Sequence, residues 1–138
     1  MFRNKWSKET LIYAAGFLDG EGCFTSGPTG KIQVTMSNTY RPVVEWFKTQ
    51  FGGAISKGGK REQHHRLCYS WTVTGVKAEE LCRWICVYLK EKSPQAAMLL
   101  TLRQTLQCSR QGRKLSQEVK DERIRLTTIL KGLKHVEW

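Results

Sequence analysis

The chain has 138 residues, enough for one domain with a buried core and too few to divide comfortably into two. Lysine and arginine number 23 against 12 acids, a formal charge of +11, which favours a polyanion such as nucleic acid over a small neutral substrate. No apolar run is long enough to span a bilayer and no signal-peptide pattern is present, so the composition predicts a soluble protein with no membrane partner.

The first helix is predicted to open at Ser7, a side chain able to cap free amides, with Trp6 and Leu11 at the two positions of a hydrophobic staple, and to run to about residue 19. After Gly22 the pattern turns to period two. A strand over 23–26 leads through the turn TSGPTG into a second, in which Ile32, Val34 and Met36 alternate with Lys31, Gln33, Thr35 and Ser37. A helix over 41–51 follows, with Pro42 in its first turn, an apolar stripe of Val43, Val44, Phe47 and Phe51, and Gly52-Gly53 to stop it.

Strands over 54–57 and 66–74 come next, joined by the basic loop GGKREQHHR. In the latter, Leu67, Tyr69, Trp71 and Val73 alternate with Arg66, Cys68, Ser70 and Thr72. Three helices complete the chain: 78–89, 93–108 with Ser93 as cap and Pro94 after it, and 116–131 ending at Gly132. The order αββαββα plus two helices predicts an α+β fold whose antiparallel sheet rests one face on helices and leaves the other free to bind.

The charge is not spread evenly. Residues 23–78 hold eight Lys/Arg and only two acids, Glu45 and Glu62, a segment charge of +6. If the apolar parity of each strand faces the helices, Thr25, Lys31, Gln33, Thr35, Ser37, Ser56, Arg66, Ser70 and Thr72 face outward, either as a solvated polar surface or as a β-ribbon that reads base edges in a major groove. Lys57, Lys60, Arg61, His64 and His65 on the second hairpin loop, and Arg110, Arg113 and Lys114 between the last helices, are placed to touch phosphates, which gives affinity without sequence choice.

Five cysteines, an odd number with no CxxC pair, predict reduced thiols in an intracellular reducing compartment, cytoplasm or organelle matrix. Cys82 and Cys86 are spaced i, i+4, and His64 and His65 lie nearby in sequence, but the spacing matches no closed zinc pattern, so small buried apolar roles are expected.

The stretch LIYAAGFLDGEGCFT, residues 11–25, poses the chemical question. It puts Asp19 and Glu21 at the end of a helix, where unpaired carbonyls disfavour exposed acids by roughly 0.3–1 kcal/mol and a cation would reverse the sign. Glu21, a neighbouring carbonyl and phosphate oxygens form the hard-oxygen environment that Mg²⁺ prefers. Ala14, Ala15 and Gly16 let another backbone come close. Two readings stand from the residues alone: a helix packed inside its own domain with Glu21 solvated, or a metal site beside a close-packed interface.

AAGFLDGEG, residues 14–22, resembles the LAGLIDADG motif of homing endonucleases. Further segments are similar in order and spacing: NTYRPVVEWFKTQFGG at 38–53, WTVTG at 71–75 and YLKEKSPQA at 88–96, so that the resemblance covers residues 7 to about 105. It implies one domain over residues 1–138 with the αββαββα fold, a four-stranded antiparallel saddle sheet and extra C-terminal helices. With a single motif, it implies a homodimer whose first helices pack together through Ala14, Ala15, Gly16 and Asp19.

The same resemblance makes Glu21 the metal-binding acid, with the Gly20 carbonyl as second ligand and Asp19 mainly helix-end structure. Asn38 matches an amide that orients water, Lys92 a basic residue near the scissile phosphate, and Arg41 falls in that neighbourhood with its register open by one residue. Many members carry Asp where this chain has Glu21, and often Gln where it has Asn38. The implied activity is Mg²⁺-dependent cleavage of both strands of a long near-palindromic DNA site, leaving short 3′ overhangs, by an intron-encoded or free-standing enzyme. Alternatives are an RNA-splicing maturase, with RNA as partner, or a non-cleaving DNA-binding protein on the same scaffold, or a helical interaction protein with an accidental motif.

Overall fold

A computed structural model of the chain describes residues 5–27, 31–58, 67–107 and 117–133. The elements are α1 (Lys8–Glu21), β1 (Gly22–Ser26), β2 (Ile32–Asn38), α2 (Arg41–Phe51), β3 (Ala54–Lys57), β4 (Tyr69–Thr74), α3 (Gly75–Ile85), α4 (Ser93–Gln107) and α5 (Gln117–Leu133). The expected αββαββα order with two further helices is present.

Several ends move. α1 runs on to Glu21, so the acid is the last helical residue. α3 starts at Gly75 and stops at Ile85, rather than spanning 78–89. Its N-cap Thr74 makes no side-chain cap bond, so there was no local signal for the start. α5 continues through Gly132, which therefore does not end it.

All strand pairs are antiparallel, in the order β1-β2-β4-β3, so β2 and β4 are central and β1 and β3 are edges. Phe24, Ile32, Val34, Met36, Trp71 and Val73 point to one face and are buried. α1 packs against this sheet and α3; α4 packs on α3, β1 and β2, and carries α5 on its far side. Each large apolar side chain fully buried here contributes about 1.5–3 kcal/mol relative to exposure.

The centre of the core is aromatic. The Trp71 ring lies 5.1 Å from Phe47 and 6.2 Å from Phe51, and its indole N–H donates to the Gly52 carbonyl at 2.7 Å, so a buried polar atom is satisfied. That close approach explains the paired glycines after α2. Gly53 has φ +89°, and a Cβ there would strike the Thr72 carbonyl and come within 2.6 Å of Val73 Cγ1.

Ser7 caps α1 as expected, accepting from the Thr10 amide at 3.1 Å. Trp6 reaches across to the end of α2, its indole N–H donating to Gln50 O at 2.7 Å and its ring edge-on to Phe51.

Candidate active site and nucleic-acid interface

The C-terminus of α1 is tied to the turn before α4 by a reciprocal exchange of charge. Asp19 accepts the backbone amides of Lys90 at 2.7 Å, Glu91 at 3.2 Å and Lys92 at 3.0 Å. In return, the Lys92 ammonium donates to the Gly22 carbonyl at 2.7 Å and the Leu18 carbonyl at 3.1 Å. A carboxylate thus meets free amides ahead of one helix, while a cation meets the carbonyl end of the other, which is the favourable sign at both termini. Gly22 is required at this junction, because a Cβ would lie 2.7 Å from Leu18 O.

Asp19 is thereby engaged within its own chain, in the helix-end role that the resemblance implies. For Ala14 and Ala15 the interface expectation is corrected: both are 0% exposed in the single chain, so they admit α1 to its own core. The outward stripe is different. It consists of Ile12 at 46% exposure, Tyr13 at 52%, and Gly16 and Gly20, where an added Cβ would meet nothing within 4 Å.

Glu21 ends the helix exposed, and its carboxylate has no partner among the described residues. Gly20 lies in the last turn, whose carbonyls lack a following helical amide. These are oxygen donors alone. Among the described residues no group of three or more His, Cys, Asp or Glu converges into an all-protein metal cage. The donor set fits a magnesium-like ion that takes one or two carboxylates and completes its shell with phosphate and water. It does not suit zinc. Burial pushes the Cys82 thiol far up from its ordinary value, and the Cys86 sulfur is held 3.6 Å from Ser93 Oγ.

Asn38 ends β2, and its side-chain oxygen accepts the Tyr40 amide at 2.8 Å, an Asx turn that leads into α2. Extending the β1–β2 register past Gly22↔Met36 puts Asn38 at the sheet end where α1 stops. Arg41 bonds Glu45 at 2.8 Å and stacks over Tyr69 at 5.6 Å; no contact joins it to Glu21.

The face opposite the core carries rows of small polar side chains set by the strand register. Thr25 pairs with Gln33; Thr35 pairs with Thr72; and Ser37, Ser70 and Ser56 form a third row. Gln33 Nε2 donates to Thr35 Oγ1 at 2.9 Å, and Ser37 and Ser70 hydroxyls meet at 2.7 Å. This face ranges from half-buried to exposed. Cys23 and Ala54 complete the Thr35–Thr72 row and were not foreseen, although counting parity back from Phe24 and Ile55 would have found them.

Lys31 is exposed just before β2. Lys57 is not on the hairpin loop: it ends β3, pairs with Tyr69, and lines a cavity on the α2 side of the sheet. Lys60, Arg61, His64, His65, Arg66, Arg110, Arg113 and Lys114 lie outside the described residues. Among those described, no helix is long and apolar enough to cross a membrane.

No protein-family model matches the chain, and a comparison with curated protein sequences returns no match. Solved structures do match. One is the homing endonuclease I-CvuI, in complex with I-CreI target DNA that is not cleaved in 2 mM Mg; it is 17% identical with TM-score 0.74 over 94% of this chain and 85% of that one. A second is the archaeal intron-encoded homing endonuclease I-Vdi141I complexed with DNA, 19% identical with TM-score 0.74 over 94% and 87%. A third is the LAGLIDADG meganuclease I-AabMI bound to uncleaved DNA, 20% identical with TM-score 0.68 over 85% of this chain and 43% of that one. The element order, the sheet topology and these likenesses agree: the chain has the LAGLIDADG homing-endonuclease fold.

Proposed function

We propose that the protein is a site-specific double-strand DNA endonuclease, acting as a homodimer on a long near-palindromic site and leaving short 3′ overhangs. The observation that carries this reading is the end of α1, where an unpartnered Glu21 carboxylate stands one turn from an exposed Gly16/Gly20 stripe. Nothing among the described residues accounts for either feature. The structures it resembles are DNA complexes of homing endonucleases, and this chain's net charge suits the same partner.

In this reading Gly16 and Gly20 let two copies of α1 approach closely, which brings two Glu21 carboxylates to one axis. Glu21 and the Gly20 carbonyl would hold a divalent ion, Mg²⁺ in the first instance; when bound, it supplies Lewis-acid activation of the phosphodiester. Lys92, fixed by two carbonyls of the α1 terminus, keeps a positive charge at that end of the site, where charge grows on the phosphoryl oxygens in the transition state. Asn38, anchored through its oxygen, positions a polar side chain for water. The open sheet face lies in a major groove, with Gln33 as the side chain best equipped to tell bases apart.

The test is the solution mass together with cleavage of a randomised duplex pool in Mg²⁺, sequencing the cut ends for wild type and Glu21→Gln. A dimeric mass, two-fold symmetric cut sites and loss of cutting in the variant are expected. Binding by both proteins with cutting by neither would overturn the nuclease reading in favour of a binding protein on this scaffold.

A further inference from the structure

On the other side of the sheet, Arg41, Glu45, Lys48, Thr49, Lys57 and Tyr69 line a cavity of about 470 Å³ between α2 and the β3–β4 edge. Its charge is uneven. Arg41 bonds Glu45 at 2.8 Å and lies over the Tyr69 ring, so the one carboxylate is already paired with the one guanidinium. Lys48 and Lys57 have no anionic partner among the described residues. Two ammonium groups facing one cavity repel each other, and an anion between them turns that repulsion into attraction. The Thr49 hydroxyl and Tyr69 phenol add neutral donors, and lysine is a good point-charge partner for phosphate oxygens.

The position of the cavity selects its ligand. Lys57 pairs with Tyr69, which pairs with Asn38, and this row lies one step beyond the Ser56–Ser70–Ser37 row of the open polar face. β3 is an edge strand, so Lys57 stands at the rim shared by the open polar face and the cavity. We propose that the cavity is a phosphate-binding subsite that takes phosphodiesters of the DNA strand passing the β3 edge. It rests on the DNA-binding reading above, and it adds affinity and orientation there without reading sequence.

The test is titration of the full-length chain, by fluorescence anisotropy, against a mixed-sequence duplex at several KCl concentrations. Lys48→Gln with Lys57→Gln is expected to make the log-log salt dependence shallower by about 1.8, at about 0.9 for each phosphate no longer neutralised. The Lys48→Arg, Lys57→Arg pair is expected to keep the wild-type slope, as is Lys8→Gln at the start of α1, outside the cavity lining. The three lysines are all exposed, and thermal melts serve as the folding check. A steep wild-type slope that the Gln pair leaves unchanged overturns this subsite while the nuclease reading stands. Absence of salt-dependent binding by wild type overturns both. Inorganic phosphate shifting the Tyr69 and Lys57 amide resonances in NMR spectra, with no change of DNA slope in the Gln pair, would reassign the cavity to a free anion and overturn the strand assignment.

Discussion

The two faces of α1 are both built from small residues, and they use them in opposite ways. Ala14 and Ala15 on the inner face are fully buried, and their size sets how closely the helix approaches its own core. Gly16 and Gly20 on the outer face have empty space where a Cβ would stand. A glycine inside a helix costs about 1 kcal/mol relative to alanine, and nothing among the described residues offsets it on that face. The carboxylates divide the same way: Asp19 is held by three amides and Glu21 by none. Features that lower stability without a partner among the described residues are the ones the proposed dimer and metal site would use.

The sharpest way to break this comparison is to exchange the roles of the two acids. Glu21→Gln is expected to lower single-turnover cleavage on the order of 10³-fold while leaving the urea midpoint unchanged, because in the proposed function the carboxylate is used only with metal and DNA. Asp19→Ala is expected to do the reverse in stability, costing about 2 kcal/mol through loss of an acceptor for three amides, two of which water can reach. A large loss of stability in Glu21→Gln would show that the faces are not distinct.

Next in size is a pair of insertions. Ala14→Leu is expected to destabilise the fold by about 1–3 kcal/mol, measured by urea unfolding, since the site has no room. Gly16→Leu is expected to halve the solution mass by sedimentation while the protein remains folded. Equal unfolding in both variants would mean that the outer face is packed as tightly as the inner.

The sequence carried the parity of the sheet well, because a one-residue shift would move every apolar side chain to the other face and only one register buries Phe24, Val34, Trp71 and Val73 together. It carried the small-residue helix poorly. Small side chains suit a tight core and a tight interface equally, and only the rotation of α1 about its axis separates Ala14 and Ala15 from Gly16 and Gly20. Lys92 shows the same limit: local spacing placed it before a helix, but its ammonium answers carbonyls 70 and 74 residues away. The question raised by two acids at a helix end therefore has an intrachain answer for Asp19, and for Glu21 the answer proposed above is an intermolecular one. The strand over 54–57 matches β3, so Lys57 belongs to its last pair, with Tyr69, and not with the basic residues of the loop that follows.

The smallest effect discriminates most finely. Gly20→Ala keeps the backbone carbonyl and adds a methyl where the chain has nothing within 4 Å, so the isolated subunit is expected to gain up to about 1 kcal/mol from helix propensity alone. In the proposed dimer, which high protein concentration favours, the same methyl would stand between two helices. The melting temperature of the variant, followed across a dilution series, is expected to lie above wild type when the protein is dilute and below it when concentrated. A gain at every concentration would mean that the glycine face of α1 meets no second copy, and the pairing of Glu21 carboxylates would lose its support.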